Sequence, residues 1–302
     1  MARLTIKISR NTDLLIFFIG TDILLFPILT AKLFHKKVVL ALAGSSFNSS
    51  TTSNSSFSKL IKIFENFNRQ LSNCIIIYSF NLIKEWNLEK YVNKISIAGE
   101  HFLNLDKFKI KKNIDKRKNL IGYIGRFSEE KGILNFLKAI EIQNNKIEEK
   151  TDLKFLIGGE GKEHDRIVKF LNEKKLNDKV ILTGWIPNND LVNYLNELKL
   201  LIIPSYTEGL PNILLEAMAC GTPVLASPVG AIPDIIKDGK TGFIMEDNDS
   251  ECIVKNIERA LKFQNLEEIV INARDLIERK FTFEFAMNRY KKILYNLLEQ
   301  SK

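Results

Sequence analysis

The sequence predicts an α/β protein of two domains, each built on a parallel sheet covered by helices. Its 302 residues are roughly the length of two ordinary domains. A composition of 45% hydrophobic and 26% charged residues is typical of globular proteins with a sizeable core. Short apolar or β-branched runs alternate with longer helical patterns, which indicates parallel strands joined by helices.

The first half of the chain contains four predicted strands. The apolar stretch Leu14–Leu29 is interrupted by Asp22 and Pro27, and it is shorter than the roughly 20 apolar residues of a membrane-spanning helix. We therefore interpret it as a strand over Leu14–Ile19, a turn at Gly20 and a helix that begins at Asp22. The next three predicted strands are KVVLAL, CIIIYS and KISIA.

The second half contains six predicted strands. In chain order they are LIGYIG, LKFLIGG, KVILTG, LKLLIIPS, PVLAS and GFIM. Helical patterns fill most of the gaps between them. The second half is therefore the fuller of the two α/β units, and the first is an incomplete one.

Two segments break this alternation. The polar stretch Ser45–Ser58 has little apolar surface to bury, so we predict a mobile loop, and loops of this length are often functional. The basic run Asp106–Asn119 is the predicted domain boundary. It gives a shortened N-terminal domain at 1–108 and a C-terminal domain at 109–282, with a last helix at 283–300 as a candidate to pack back on the first domain.

The basic run leaves two interpretations open. The formal net charge is +8, and Asp106–Asn119 is the densest basic segment. It is either a solvated linker between domains or a contact with anionic lipid headgroups, which attract nearby lysine and arginine side chains. Nucleic acid is a poorer partner, because no stacking aromatic residues interleave the run and no nucleic-acid motif is present.

The cysteines indicate a reducing compartment. Cys74, Cys220 and Cys252 are far apart and odd in number, so they form neither a disulfide framework nor a CxxC metal pair. We interpret them as reduced core thiols, and no signal-peptide cleavage pattern is present. The predicted location is cytoplasmic, with peripheral contact at the inner face of the cell membrane as a further candidate.

The stretch SYTEGLPNILLEAMACGTPVLASPVG, Ser205–Gly230, places a carboxylate where ligands bind. Glu208 follows the buried strand LKLLIIPS, and open α/β sheets bind ligands at the carboxyl ends of their strands. Gly209 lets the backbone come close to a ligand, and Pro211 suits the first turn of the next helix. The free N–H groups of that turn favour an anion.

A second carboxylate, Glu216, lies about a turn further along the same helix, so both flank one mouth. Carboxylates beside an anion site repel the anion unless they accept hydrogen bonds from neutral hydroxyls. The predicted ligand is therefore a phosphate that carries hydroxyl-rich groups, such as a sugar or a ribose.

Three other features of the sequence form neither a Walker phosphate-binding loop nor a metal site. The glycine cluster Gly158–Gly161 is a turn before a helix, and no Walker lysine follows it. The triplet Asp247–Asp249 imitates a DxD metal motif but is better explained as a loop in which Asp249 caps a helix. None of the three histidines is spaced from another as metal ligands are; they are His35, His101 and His164.

The segment EGLPNILLE matches the E-x7-E motif of the family-4 retaining glycosyltransferases, which use nucleotide-sugar donors. The following AMACGTPVLASPVGAIPDIIKDGKTGF is also similar to that family. So is YIGRFSEEKGILNFLKAI, in which Arg126 and Lys131 look like the family's diphosphate-binding pair. Two further segments similar to the family, LIGGEGKEHDRI and VILTGWIP, lie in the expected order between YIGRFSEEKGILNFLKAI and EGLPNILLE. The resemblance is close over Leu120–Gly242. It extends loosely to the C-terminal segment FTFEFAMNRYKKILYNLL, and it is weaker before residue 110.

The resemblance implies the GT-B architecture, two Rossmann-like domains facing a central cleft, with the N-terminal domain incomplete. It also implies that the C-terminal domain holds the nucleotide-sugar donor and that the acceptor is approached from the N-terminal domain. It implies that Glu208 is the catalytic residue that contacts the transferred sugar, and that Glu216 binds the ribose hydroxyls. The donor-binding residues implied by the family are Arg126, Lys131, Gly209, Leu210 and Glu216. The backbone at Gly209 and Leu210 would meet the diphosphate.

The implied reaction moves a hexose or hexosamine from the nucleotide sugar to a glycan or glycolipid. Arg126 and Lys131 would neutralise the departing nucleoside diphosphate, because preorganised cations and N–H donors stabilise developing negative charge. On this interpretation no metal and no cofactor is needed, and the nucleotide sugar is a substrate.

The N-terminal half departs from the family. It lacks the first strands and a glycine-rich loop, and the position that often holds an active-site histidine is Ala43 or Gly44. Either Asp22 and the Ser45–Ser58 loop supply the missing chemistry, or a partner chain does, or catalysis is lost. The alternatives to an active transferase are a nucleotide-sugar-binding partner subunit and a sugar-nucleotide epimerase or hydrolase on a related fold.

Overall fold

A computed structural model of the chain describes residues 2–9, 11–18, 24–43, 56–99, 101–146 and 152–299. The described residues form two compact units. The first comprises the residues before 100 together with those from Glu284 onward, and the second comprises 101–283.

The elements alternate between strands and helices along the chain. The strands are β1 (Leu14–Phe18), β2 (Lys37–Ala41), β3 (Cys74–Ile77), β4 (Ile95–Ile97), β5 (Leu120–Ile124), β6 (Lys154–Gly158), β7 (Val180–Gly184), β8 (Leu200–Ile203), β9 (Val224–Ala226) and β10 (Phe243–Ile244). The helices are α1 (Ala2–Ser9), α2 (Leu25–Leu33), α3 (Ser56–Leu71), α4 (Asn81–Glu85), α5 (Ile133–Lys146), α6 (His164–Glu173), α7 (Asn188–Glu197), α8 (Asn212–Ala219), α9 (Ile232–Ile235), α10 (Ser250–Leu261), α11 (Leu266–Lys280) and α12 (Phe283–Glu299). Short 3-10 helices cover Glu89–Lys94, Ile114–Lys116 and Glu129–Lys131.

The first unit contains a parallel sheet in the order β1-β2-β3-β4. Successive residues of a strand face opposite sides, so Val38 and Leu40 pack with helix α2 while Val39 and Ala41 pack with helix α12. Because helices cover both sides, β2 is apolar at consecutive positions rather than at alternate ones.

The second unit contains a six-stranded parallel sheet in the order β10-β9-β8-β5-β6-β7. From β5 the chain continues through β6 and β7 towards one edge, and from β8 it continues through β9 and β10 towards the other. The order therefore reverses between β5 and β8. In open α/β sheets this reversal opens a crevice at the carboxyl ends of the two strands.

Each of the ten predicted strands is present. Helix α2 begins at Leu25, and the predicted turn at Gly20, helix start at Asp22 and most of the predicted loop at 45–58 lie outside the described residues. The end of that predicted loop is wrong, because helix α3 begins at Ser56. No helix in the described parts of the chain is long and apolar enough to cross a membrane.

The basic run after residue 105 packs on the second unit rather than forming a loose linker. Phe108 and Ile114 are buried in this segment. The buried guanidinium of Arg117 donates hydrogen bonds to the backbone oxygens of Lys112, Leu195, Leu198 and Cys220 and to the Thr222 hydroxyl. These contacts explain why the units divide near residue 100, eight residues before the predicted boundary at 108.

Three lysines of the run also bind helix α7. Lys112 Nζ donates to Glu197 at 3.0 Å, and Lys111 Nζ donates to Asn193 at 2.8 Å. Lys107 Nζ donates to Asn188. The side chains that the sequence presents as a continuous charge run are therefore partly committed to contacts within the second unit.

The cysteines are free thiols in the structure. Cys74 and Cys220 are buried, as the sequence predicts for core thiols, whereas Cys252 is only half-buried. Burial raises the pKa of the Cys220 thiol to about 12. Cys220 is therefore a protonated core residue at neutral pH.

Candidate active site

Two loops meet at the crevice between β5 and β8. One loop joins β5 to α5 and the other joins β8 to α8. Gly132 has a φ of +68°, and a Cβ atom at this position would lie 1.9 Å from the Pro204 carbonyl oxygen. The Tyr206 N–H donates to the Glu130 carbonyl oxygen at 2.9 Å. The backbones of the two loops are therefore in direct contact, and only glycine fits at the closest point.

Lys131 and Glu208 are brought together by this contact. Lys131 Nζ lies 2.8 Å from Glu208 Oε1 and 2.7 Å from Oε2. The Ser205 hydroxyl donates to Glu208 Oε1 at 2.7 Å. The side chain of Glu208 is only 7% exposed and that of Lys131 is 24% exposed. A buried carboxylate and a cation that still reaches solvent thus share one hydrogen-bonded cluster at the switch point.

Arg126 lies on the same β5–α5 loop but does not join that cluster. Its guanidinium is exposed and lies 2.9 Å from Glu130. The hydroxyl of Tyr123 donates to the Arg126 backbone oxygen at 2.8 Å and so holds the start of the loop. Burial raises the pKa of Tyr123, and the charges of Glu208 and Glu130 raise it further. Tyr123 therefore acts as a neutral hydrogen-bond donor.

The glycine cluster at 158–161 supports the position of Arg126. A Cβ atom on Gly159 would lie 1.9 Å from the Gly125 oxygen, and one on Gly161 would lie 2.3 Å from the Phe127 oxygen. The Phe127 N–H donates to the Glu160 oxygen at 2.7 Å. The cluster is thus a turn, as predicted, that also lets the β6–α6 loop lie directly against the loop that carries Arg126.

A third loop, between β9 and α9, fixes the backbone after Glu208. Gly230 has a φ of +61°, and a Cβ atom there would lie 2.4 Å from the Glu208 oxygen. The Ala231 N–H donates to the Gly209 oxygen at 2.8 Å. This support was not predicted from the sequence, although the glycine of SPVG was a signal that could have indicated it.

Helix α8 carries the second carboxylate. Pro211 is the residue before the helix, not in its first turn as predicted, and Asn212 is the first helical residue. The helix ends with the Gly221 N–H bound to the Met218 oxygen and the Thr222 N–H bound to the Ala217 oxygen, a Schellman motif. Gly221, with a left-handed φ of +69°, therefore ends the helix.

Glu216 is largely buried on α8. Burial raises its pKa from 4.5 to about 6, and the positive charge of Lys107 opposes this rise. Ionisation of Glu216 at neutral pH therefore costs free energy, because the charge is partly removed from water. A hydrogen bond from a ligand to the carboxylate would offset this cost. Its role as an acceptor for ligand hydroxyls stays a prediction.

The Asp247–Asp249 loop is a helix start. The Asp249 side chain accepts hydrogen bonds from the N–H groups of Glu251 and Cys252, at 2.9 Å and 3.0 Å. The predicted role of Asp249 as the N-cap of α10 is confirmed. Asp247 accepts from the N–H groups of the next two residues and shapes the same turn.

The arrangement at the switch point suits a ligand with a diphosphate and several hydroxyls. Lys131 and Arg126 supply positive charge, and the first N–H groups of α8 lack partners within the helix. The carboxylates of Glu208 and Glu216 can accept hydroxyl hydrogen bonds.

Two parallel sheets, one in each Rossmann-like unit, define the GT-B class of fold. The chain matches the model of the family "Glycosyl transferases group 1" over residues 105–275, which is more than half of its length. It therefore belongs to this family, and the fold class and the family predicted from the motifs are both confirmed.

Three known proteins illustrate the relationship. The chain is 27% identical to the capsular polysaccharide biosynthesis glycosyltransferase CapM of Staphylococcus aureus, over 75% of this chain and 60% of CapM. It is 28% identical to the N-acetyl-alpha-D-glucosaminyl L-malate synthase of Bacillus anthracis, over 63% of this chain and 48% of the synthase. The chain thus spans about half the length of these curated relatives.

Among solved structures, Anabaena Alr3699/HepE in complex with UDP superimposes with a TM-score of 0.81. The match covers 98% of this chain and 82% of HepE at 15% sequence identity. At this level of identity the likeness establishes the shared fold alone.

Proposed function

We propose that the protein is a retaining glycosyltransferase that moves a hexose or hexosamine from a nucleotide-sugar donor to a glycan or glycolipid acceptor. The observation that carries this proposal is the meeting of Lys131 and Glu208 at the switch point between β5 and β8. Membership of the family and the E-x7-E spacing support retention of configuration. The UDP bound to HepE and the capsular role in the name of CapM support a nucleotide-sugar donor and a glycan acceptor.

In this proposal Lys131 serves two partners at once. A lysine ammonium has three donors, so Lys131 can keep its bonds to both Glu208 oxygens and still offer an N–H to a phosphate. Arg126 would exchange its exposed partner Glu130 for the diphosphate. Together with the backbone N–H groups at Gly209 and Leu210, the two cations would stabilise the departing diphosphate without a metal ion or a cofactor.

The two carboxylates divide the hydroxyl contacts. Glu208, held by Ser205 and Lys131, would face the transferred sugar and stabilise positive charge as the glycosidic bond breaks. Glu216 would accept hydrogen bonds from the ribose. The location that we propose is cytoplasmic, which the three free cysteines support.

The donor site is tested by calorimetric titration of the full chain with UDP, GDP and ADP. We expect one nucleotide to bind and the double variant Arg126→Ala, Lys131→Ala to bind it about 100-fold more weakly, because each charge-assisted hydrogen bond contributes about 1.5 kcal/mol or more. The control is Lys169→Ala, Arg279→Ala, which removes one lysine and one arginine from exposed ion pairs elsewhere on the second unit. Equal weakening by both double variants would contradict the proposed site.

The catalytic role of Glu208 is tested by Glu208→Gln. We expect transfer, and slow donor hydrolysis without acceptor, to be abolished while nucleotide affinity is retained, because Lys131 remains in place. Transfer by the variant would refute the role assigned to Glu208.

One observation favours a second candidate, a nucleotide-sugar-binding partner subunit. The position at which the family often has an active-site histidine is here either Ala43, beyond the end of β2, or Gly44. Gly44 lies outside the described residues. Nucleotide binding by the wild-type chain without any transfer or donor hydrolysis would support this second candidate over the first.

A further inference from the structure

Helix α3 has its polar side turned inward. It packs on the same face of the first sheet as α2, since Leu71 and Ile28 share one core cluster. The buried polar side chains of α3 are Glu65, Asn68 and Arg69. Its exposed apolar side chains are Leu60, Ile63 and Phe67, which recur at the spacing of one helix face. A helix that faces water normally shows the opposite arrangement.

The neighbouring helices continue this exposed apolar surface. Helix α1 contacts α2 and buries Thr5 and Ser9 while it exposes Leu4 and Ile8. On α2, Phe26 is 72% exposed and Leu33 is 78% exposed. We refer to the exposed apolar residues of α1, α2 and α3 together as the three-helix face. Single exposed apolar residues are ordinary, but a shared face of this kind indicates contact with an apolar environment.

The charged residues of helices α1, α2 and α3 are almost all basic. The sequences of the three helices contain six basic residues, namely Arg3, Lys7, Lys32, Lys59, Lys62 and Arg69. Their only acidic residue is Glu65, which is buried beside Arg69 at 3.7 Å. Lys7, Lys59 and Lys62 are exposed. The described exposed charges on these helices are therefore all lysines.

We propose that the three-helix face docks on a membrane surface that contains anionic lipids. Interfacial helices bury their apolar side chains about 5–10 Å deep, at the boundary of headgroups and acyl chains, while lysines bind the lipid phosphates. A second copy of this chain fits the charges less well, because pairing the same faces would bring lysines together. The inference does not rest on the proposed function, since none of the candidate donor-site residues lies on these helices.

The three-helix face is also a better lipid contact than the basic run at 106–119. Lys107, Lys111 and Lys112 of that run donate hydrogen bonds to helix α7. The run exposes a single large apolar side chain, Ile110. Helix α3 carries the exposed lysines Lys59 and Lys62 and exposes three large apolar side chains, namely Leu60, Ile63 and Phe67.

The first test is co-sedimentation of the full chain with phosphatidylcholine vesicles that contain or lack phosphatidylglycerol. We expect the chain to sediment with the anionic vesicles only, and binding to fall as salt is added, because salt screens the lysines. A chain that stays in the supernatant with anionic vesicles would overturn the proposal.

Apolar variants locate the contact. The triple variant Leu60→Ser, Ile63→Ser, Phe67→Ser should bind anionic vesicles at least about tenfold more weakly, because it removes the groups that enter the lipid. It should keep its circular dichroism, since all three side chains are exposed. The matched control is Ile181→Ser, Ile271→Ser, Tyr295→Ser, which removes exposed apolar groups from other surfaces. Equal loss in both variants would refute docking by this face.

Charge variants separate the two basic regions. Lys59→Gln, Lys62→Gln should weaken binding about 25-fold, since each lysine near an anionic surface contributes about fivefold. The control is Lys109→Gln, Lys118→Gln, two exposed lysines of the basic run. A larger loss in this control would overturn the proposal in favour of the run.

Light scattering without lipid tests whether the three-helix face instead binds a second copy of the chain. We expect a monomer. A dimer that the triple apolar variant abolishes would overturn the proposal and assign the face to a second copy of the chain.

Discussion

Glu216 is the residue of the candidate site whose ionisation conflicts most clearly with folding. The unfolded chain ionises it with a pKa near the ordinary 4.5, whereas burial raises the pKa to about 6 in the folded protein. The folded state therefore binds this proton more tightly. The stabilisation from Glu216 is complete below pH 4.5 and is lost as the pH rises through 6.

Glu216→Gln should therefore stabilise the protein at neutral pH. A shift from 4.5 to about 6 corresponds to about 2 kcal/mol in the free energy of unfolding, and we expect a gain approaching this size at pH 7.5 and almost none at pH 4. Urea denaturation of variant and wild type at the two pH values measures the difference. The same variant should bind the nucleotide more weakly at pH 7.5, because the amide replaces a charged acceptor for the ribose. A variant that is less stable than wild type at pH 7.5 would contradict the assignment of the shift to burial.

At the scale of elements, the site depends on loops that touch through their backbones. The β5–α5 and β8–α8 loops meet at Gly132, and the β9–α9 loop meets the backbone of Glu208 at Gly230. These contacts hold Glu208 and Lys131 at a fixed separation before any ligand arrives, which is the preorganisation that the proposed transfer would need.

Two glycine-to-alanine variants distinguish the stability lost through a close loop contact from that lost through backbone strain. Gly132 and Gly184 both have a left-handed backbone, with φ of +68° and +66°. A Cβ atom at Gly132 would lie 1.9 Å from the Pro204 oxygen, whereas one at Gly184 would have, apart from its chain neighbours, no atom of the described residues within 4 Å. Gly184→Ala should therefore cost about 1 kcal/mol, the usual strain of this conformation. Gly132→Ala should cost at least about 2 kcal/mol more and should also weaken nucleotide binding, as measured by thermal unfolding and calorimetry. Equal losses of stability in the two variants would show that the loop contact is unimportant.

The sequence predicted elements better than contacts between them. The strands were predictable because a parallel sheet covered on both sides requires unbroken apolar runs such as that of β8. Glu208 was predictable as a site residue because it follows such a strand. Its pairing with Lys131 was not, because the partner of a strand end depends on which strands are neighbours, and β5 and β8 are far apart in the chain. The inward-facing polar side of α3 was also not predictable, because the sequence does not show which side of the helix packs against the sheet.

At the scale of the whole molecule, the two units have separate cores. The core clusters on the two faces of the second sheet draw all their residues from the second unit, and those on the two faces of the first sheet draw theirs from the first. The family match at 105–275 also falls within the second unit. All six candidate site residues, from Arg126 to Glu216, lie in that unit as well.

The second unit should therefore fold and bind nucleotide without the first. We expect a fragment of residues 101–283 to unfold cooperatively in urea and to bind the nucleoside diphosphate with the affinity of the full chain, since it keeps its own core and every proposed donor contact. The control is the same fragment with Lys131→Ala, which should fold but bind weakly. Transfer should be absent from the fragment, because the acceptor is proposed to approach from the first unit. A folded fragment that fails to bind would mean that the first unit supplies donor contacts, and a fragment that fails to fold would contradict the separation of the cores.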